Sequence, residues 1–372
     1  MKKRVIFFGI KTFPSQGGTD RVAENLIIQL REAYDITLYC FRDPAAKDHI
    51  PGINVIQMPR IGTGSAGAFL YFFLSAIHLL FTQRADLIHA HKTDCAFFIP
   101  LLRLRFPVVA TSHEAPYRRD KWNGLQSLYF KLAERLFIDS PDLCTCISEP
   151  LTKYYIERYG RDVVFLPNGI NPITTDSFDF AGVEKFLPEG VSLDRPYVLF
   201  SARRIMKTKG CHTMLEALVS AQYTGQVLIA GELTHNPDYV ARLRRAGQSL
   251  NMHFLGFVHP LPALLALVSR ADLFIFPSET EGMSIMLLEV ASAGRPIVAS
   301  DIPENLQVFT ENEVLFFKVG NTPDLADRIR MAMSQRHEME AMAIRCREKV
   351  YTDFVWDKIA ARYAEVYQTV IG

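Results

Sequence analysis

Two glutamates eight positions apart, Glu281 and Glu289, stand within the run PSETEGMSIMLLEV that ends at Val290. The first falls in a glycine-containing loop at the end of a predicted strand, the second on the helix that follows. Eight steps of about 100° leave the two about 80° apart if the helix extends back to Glu281. Such a pair addresses neighbouring parts of one ligand, and carboxylates accept paired hydrogen bonds from vicinal hydroxyls such as those of a ribose. A second run, SARRIMKTKG at 201–210, follows another predicted strand and packs Arg203, Arg204, Lys207 and Lys209 into seven positions. Arginine offers a planar fork for phosphate oxygens and lysine a compact charge. The plainer reading of this run is a solvated basic loop.

A third run, PSQGGT at 14–19, comes after the first apolar strand and opens a helix read over Thr19–Arg31. The paired Gly17 and Gly18 let the backbone approach a ligand closely, and a helix N-terminus presents unpaired N–H groups suited to phosphate. An ordinary strand-to-helix loop is the alternative. The run from Gly62 to Gly67 fits GxGxxG, the pattern of an NAD(P)-dependent oxidoreductase. Pro59 and Arg60 separate it from the preceding strand, so the tight turn that such a site needs is missing. His89 and His91 frame a strand end in LIHAH; one core and one surface histidine is the simple account, and a ligand-facing position the other.

The elements that must hold these residues are short apolar, β-rich runs alternating with segments of helical period. Strands are predicted near Val5–Phe8, Ile36–Tyr39, Val55–Met58, Leu87–His89, Val108–Thr111, Leu143–Ile147 and Val163–Leu166. Helices lie between most of them, at Thr19–Arg31, Ala66–Phe81, Ala96–Leu104, Gln126–Leu136 and Pro150–Tyr159. After LPNG the stretch from Ile170 to Pro196 carries Pro172, Gly182, Pro188, Gly190 and Pro196, a linker signature. Alternation then restarts with strands near 198–201, 227–230, 252–255, 273–276 and 297–300, and helices fill the tail after Thr322. The pattern predicts an α/β protein of two doubly wound, Rossmann-like domains facing across a cleft. We place an N-terminal domain at 1–168, a linker and the start of the second domain at 169–196, the second domain at 197–355 and a final helix at 356–372.

Composition narrows the class. The chain has 372 residues, 49% hydrophobic and 22% charged, with 41 Lys+Arg against 40 Asp+Glu. That content excludes disordered and collagen-like chains, and the near-zero balance argues against nucleic acid as a partner. A cut at Pro167 leaves 21 basic and 16 acidic residues in the first part, a net of +5, and a net of −4 in the rest. Either the first part meets something anionic, or solvated faces are unevenly distributed. Six scattered cysteines without CxxC spacing point to a reducing compartment. The apolar run Ala66–Phe81 is 16 residues long, short of the roughly 20 that span a bilayer. It reads as a core helix or as a helix lying against a membrane surface.

Taken in order, these motifs resemble the large group of retaining glycosyltransferases known as family 4, or glycosyl transferases group 1, of the GT-B fold. The Glu281-x7-Glu289 segment, the run from Arg204 to Lys209-Gly210, the Gly17-Gly18 loop, His113 in VVATSHE, Ser148 in CTCISEP and LPNGIN at 166–171 fall in the family's order. FVWDKIAARYAEVY is similar to the family's last helix, which crosses back to the first domain. The resemblance covers nearly the whole chain. It implies that Glu289 binds ribose hydroxyls of a nucleotide-sugar donor, and that Glu281 with the N–H groups of Gly282, Met283 and Ser284 holds sugar hydroxyls. Arg204 and Lys209, with Arg203 competing for the arginine role, would grip the diphosphate. Gly17 and Gly18 would approach the donor phosphate, His113 would contact the sugar near the reacting carbon, and Gly256, Phe257 and Val258 would lie beside the base. Glu114 either caps a loop or faces the acceptor.

Met283-Ser284 stands where the family often has Phe-Gly, so the sugar loop differs. No Asp-x-Asp occurs in the sequence, and a metal-free mechanism with no cofactor is expected, the cations neutralising the leaving diphosphate. The implied reaction is transfer to a hydroxyl of a glycan or lipid-linked glycan in polysaccharide or lipopolysaccharide assembly. The expected setting is cytoplasmic, at the inner face of the membrane, with peripheral contact to anionic lipid. A nucleotide-sugar epimerase, a phosphorylase or a non-catalytic sugar-nucleotide sensor are the competing readings on the same frame.

Overall fold

The run KRVIFF becomes the first strand, β1 (Lys3–Phe8), with its last four side chains buried. In the computed structural model, which describes residues 2–46, 49–113 and 124–372, β1 opens a regular alternation. It continues through α1 (Gly18–Leu30), β2 (Tyr34–Phe41), β3 (Asn54–Met58), α2 (Gly64–Thr82), β4 (Leu87–His91) and α3 (Ile99–Arg103). Then come β5 (Val108–Ser112), α4 (Gly124–Asp139), β6 (Leu143–Cys146), α5 (Glu149–Tyr159) and β7 (Val163–Phe165). The strands pair in parallel in the order β3-β2-β1-β4-β5-β6-β7. β4 and β5 are buried at every position, as central strands of a parallel sheet covered on both faces must be.

A second sheet follows. Its elements are α6 (Phe180–Glu184), β8 (Tyr197–Arg204), α7 (Cys211–Ser220), β9 (Gln226–Glu232), α8 (Pro237–Ala246), β10 (Asn251–Gly256) and α9 (Leu261–Ser269). After these come β11 (Leu273–Phe276), α10 (Ile285–Ser292), β12 (Ile297–Ser300), α11 (Pro303–Leu306), β13 (Leu315–Phe317), α12 (Thr322–Ser334) and α13 (Arg336–Asp353). Its strands are parallel in the order β10-β9-β8-β11-β12-β13. The last helix, α14 (Trp356–Ile371), leaves this sheet and joins the first, so the compact units are Met1–Gly169 with Trp356–Gly372, and Ile170–Val355. Trp356, Ile359, Ala360, Tyr363, Val366 and Tyr367 form its buried stripe at helical spacing. They pack on α1, β4 and β5, and Tyr367 Oη shares a 2.7 Å hydrogen bond with His89 Nδ1.

The chain is thus α/β, with two doubly wound parallel sheets. In each, the strand order reverses beside the first strand: between β1 and β4, and between β8 and β11. Such a reversal opens a crevice at the carboxyl ends of the strands, where ligands bind in sheets of this kind. A glycine shapes each crevice. Gly9, just past β1, has φ +94, and a Cβ there would overlap the carbonyl oxygen of His91 at the end of β4. Gly210, at φ +68, stands in the same relation to the carbonyl oxygen of Pro277, just past β11.

Several boundaries differ from the sequence reading. β8 runs on to Arg204, so Arg203 and Arg204 belong to a strand end whose pairing with β9 shifts after Ser201, and not to the loop beyond it. α10 begins at Ile285 with Ser284 as its N-cap, so Glu281 is off the helix and the azimuthal argument does not set its position. The stretch read as linker carries α6, held in the second unit against α9. Two glycines of the Gly62–Gly67 run serve the chain's own packing: Gly67 is in the first turns of α2, and a Cβ on it would press on the backbone of Gly62.

Gly9→Ala and Gly210→Ala combine backbone strain with steric overlap. Each should lower stability by about 2–3 kcal/mol. Gly17→Ala, where φ is −135 and a Cβ touches only Asp20 Oδ2 at 3.9 Å, should stay within about 0.5 kcal/mol. Urea unfolding of the three variants checks the contrast.

Candidate active site

At the ends of β1 and β4 lies a cavity of about 150 Å³ lined by Lys11, Thr19, Lys92, Thr93, Asp94 and His113. Gly17 is the N-cap of α1 and Gly18 its first residue. A Cβ on Gly18 would meet nothing within 4 Å, so neither this chain's conformation nor its packing demands the glycine pair. Lys11 Nζ pairs with Asp94 Oδ2 at 2.6 Å, and Lys92 pairs with Asp20. Burial alone would raise the Asp20 carboxyl. The Lys92 charge, with hydrogen bonds from Lys92 and from the Thr12 hydroxyl and N–H, outweighs burial and holds it below the ordinary value. Lys92 itself sits at φ 71, a left-handed backbone that costs a non-glycine residue about 1–3 kcal/mol. The ion pair with Asp20 keeps its side chain in place.

Three histidines stand beside this cavity. His89 and His91 are both fully buried; the expected split into core and surface is corrected, because alternation along β4 turns both to one face of a sheet covered on that face by α14. His89 Nε2 is 2.6 Å from Thr111 Oγ1, which is 2.7 Å from Thr145 Oγ1. His91 Nδ1 lies 3.1 Å from His113 Nε2, while His91 Nε2 and His113 Nδ1 have no hydrogen-bond partner among the described residues. Burial drives all three below the usual imidazole range, His89 and His113 to about 3, so at neutral pH all are uncharged. One hydrogen must then lie between His91 and His113. Whichever ring donates, the accepting ring carries an enclosed N–H on its far nitrogen: His113 Nδ1 if His91 donates, His91 Nε2 if His113 does.

In the second unit the crevice between β8 and β11 holds the other group of residues. Lys209, closing a 3₁₀ turn over Lys207–Lys209, donates from Nζ to Glu281 Oε1 at 2.7 Å. The two loops are also stitched by Glu279 N–H donating to Thr208 O at 2.9 Å. An ammonium has three N–H groups, so Lys209 keeps two for a ligand. Glu289 is buried on α10, Met283 is buried, and the Ser284 hydroxyl caps the helix by accepting Leu287 N–H at 3.3 Å. Gly282 precedes them in the loop.

The two arginines diverge. Arg203 stacks its guanidinium over Phe257, 5.5 Å from the ring centroid, in the turn formed by Gly256 (φ +72) and the buried Val258. Arg204 faces Glu232 at the end of β9, 3.7 Å away and half-exposed. The structure therefore brings Lys209 and Glu281 together, and places Arg203 beside the Gly256–Val258 turn. Gly17, Gly18 and His113 belong to the first unit's crevice. Glu114 lies outside the described residues. Among the described residues, no three His, Cys, Asp or Glu side chains are grouped as metal ligands.

Lys11, Lys92 and Asp20 were not singled out in the sequence. Two of them carry a signal in the sequence: Lys11 ends the first apolar run and Lys92 directly follows LIHAH, both at strand ends.

The fold and these sites define a class, the two-sheet α/β transferases with a crevice at each switch point. The chain matches the family model Glycosyltransferase Family 4 over residues 16–173 and Glycosyl transferases group 1 over 184–349. It belongs to this glycosyltransferase family. It is 26% identical over 295 residues to the phosphatidyl-myo-inositol mannosyltransferase of Mycobacterium leprae, covering 77% of this chain and 74% of that one. Sucrose-phosphate synthase from Thermosynechococcus elongatus shares its fold with a TM-score of 0.81 at 20% identity, over 99% of both chains. Anabaena HepE, solved with UDP and glucose, does so with a TM-score of 0.78 at 18% identity, over 99% of this chain and 100% of that one. These neighbours are GT-B glycosyltransferases, and GT-B is the fold of this chain.

The neutral histidines fix the sign of an acid response. Their folded pKa values lie below the ordinary 6.5, so the stability they confer is complete above pH 6.5. It is lost as pH falls toward 3, where the unfolded chain takes up protons that the folded chain refuses. Denaturation midpoints should fall from pH 6.5 to about 4, and His91→Gln should make that fall shallower. An unchanged slope in the variant would contradict the assignment.

Proposed function

We propose that this glycosyltransferase is retaining and metal-independent, and moves a sugar from a nucleotide-sugar donor to a hydroxyl of a glycan or lipid-linked glycan. The observation that carries the reading is the Lys209–Glu281 pair at the second switch point, with Glu289 buried on the helix that follows. Glu289 accepts hydrogen bonds from ribose hydroxyls. Glu281, with the N–H groups of Gly282, Met283 and Ser284, holds the sugar. Lys209 and Arg204 take up charge as the diphosphate departs. Arg203 and the Gly256–Val258 turn lie on the nucleoside side. From the first unit, Gly17 and Gly18 give the phosphates close backbone approach, and His113 contacts the sugar near the reacting carbon.

In the transfer step the acceptor oxygen bonds to the anomeric carbon on the face from which the diphosphate leaves. The carbon–oxygen bond to phosphate breaks, and the acceptor proton passes to a departing phosphate oxygen. No metal or other cofactor is required, because the cations and helix N–H groups supply the electrostatic stabilisation. The acceptor class is supported by the name of the mannosyltransferase relative, which points to a phosphatidylinositol, and the donor class by the UDP and glucose with which HepE was solved. The setting is cell-surface polysaccharide or lipopolysaccharide assembly, in the cytoplasm at the inner face of the membrane.

A thermal-shift panel of UDP-, GDP- and ADP-sugars should stabilise the protein, and NAD(P) should not. Glu289→Ala should weaken donor binding by roughly 10- to 100-fold. Lys209→Ala should lower kcat by about 10²–10³ with a smaller change in donor affinity, since its partner charge develops in the transition state. Product NMR should show the donor's anomeric configuration kept. An inverted product would refute retention, and stabilisation by NAD(P) alone would refute the donor class.

A further inference from the structure

The helix α2 has two unlike faces. Counted in steps of about 100°, its buried residues, among them Tyr71, Phe72, Ser75, Ala76 and Leu79, occupy one side. The other side, an arc of about 140°, carries Phe69, Leu70, Phe73, Leu74, Ile77 and Phe81. Phe69 is 44% exposed, Phe73 43% and Phe81 79%, and the remaining three are half-buried. From Phe69 to Phe81 the stripe runs for about 18 Å. An apolar strip of this length with no polar side chain in it exceeds the scattered apolar exposure of an ordinary surface.

The helix cannot be withdrawn to span a bilayer, because its inner face is tied into the first unit. Tyr71 Oη donates to Ile10 O at 2.5 Å, and His78 Nδ1 lies 2.8 Å from Tyr39 Oη. It lies along the surface instead. The charge flanking it in sequence has one sign. From Pro59 to Ala85 the only charged residues are Arg60 and Arg84, one beyond each end of the helix and both exposed. Arg105 donates to the Leu80 carbonyl at the last turn, which brings a third exposed guanidinium and the neighbouring Leu104, 83% exposed, to the same end. The nearest carboxylate in sequence, Asp86, is occupied by the backbone N–H and guanidinium of Arg4.

We propose that the outer face of α2 docks on a lipid surface bearing anionic headgroups, its phenylalanines entering the acyl boundary and Arg60, Arg84 and Arg105 meeting the headgroups. Apolar entry plus about 1 kcal/mol for each basic residue near an anionic surface is the way a helix lying in the interface is held. A protein partner would call for hydrogen-bonding groups to fix its register, and the strip offers none. The proposal gives a location to the membrane-side setting suggested above, but rests on α2 and not on the transfer chemistry.

Flotation of the full chain with vesicles of phosphatidylcholine containing about 30% phosphatidylglycerol, and with pure phosphatidylcholine, tests it. Binding is expected to the anionic vesicles and to weaken in high salt. The exposed triple variant Phe69→Ser, Phe73→Ser, Phe81→Ser should lose at least about tenfold in vesicle affinity, and Arg84→Ala with Arg105→Ala should lose the preference for anionic lipid. Stabilisation by nucleotide sugars, measured on the same samples, should be unchanged in all variants; it separates a failure of docking from a failure of the transferase reading and shows that the variants fold. Equal binding to both vesicles, or full binding by the triple variant, would overturn the proposal. So would a micromolar dimer of the parent chain that the triple variant abolishes while neither binds vesicles, since the strip would then be an interface between copies.

Discussion

Each sheet of this protein depends on one contact, a glycine of positive φ laid against a carbonyl at the end of a neighbouring strand. Gly9 meets His91 and Gly210 meets Pro277. Both contacts sit where the strand order reverses, so they fix how closely the two loops that wall each crevice can approach. In the first unit this sets Lys11 and Lys92 on the two sides of one small cavity. In the second it sets Lys209 within reach of Glu281. A side chain at either glycine would push apart groups whose chemistry requires them to be adjacent.

Electrostatics then follow from geometry. The cations at both crevices are held by carboxylates: Lys11 by Asp94, Lys92 by Asp20, Lys209 by Glu281. Holding a buried charge with a partner adds little to net stability, because desolvation offsets the attraction. What the pairing supplies is position, so that an incoming anion finds ammonium groups already oriented. The +5 of the first part of the chain is therefore not a measure of free charge at its crevice. Arg60 and Arg84, for example, lie at the two ends of α2.

Much of the fold is legible in the sequence because buried parallel strands are short continuous apolar runs and helices show a longer period. What escaped has a physical reason. α6 has five residues, too few for a helical period to register. β4 was read two residues short because HAH is polar, and burial of both histidines needed α14 to supply Tyr367 from 278 positions away. Arg203 and Arg204 looked like a loop because charge usually marks one, whereas a strand end at a crevice tolerates it. At the site, the residue types and their order were visible, but pairing was not: nothing in the spacing shows that Lys209 reaches Glu281 across 72 positions, or that Arg203 and Arg204 part company toward Phe257 and Glu232.

The helix α14 carries one more consequence. The first unit takes its final layer from the last residues of the chain, including the hydroxyl that satisfies His89. During synthesis the first sheet therefore emerges early, yet one of its faces, covered in part by α1, stays incomplete while the second unit is being made. The second unit, contiguous from Ile170 to Val355, has every part of its core before the first unit is closed. Maturation thus runs opposite to gene order, with the first-made unit completed last.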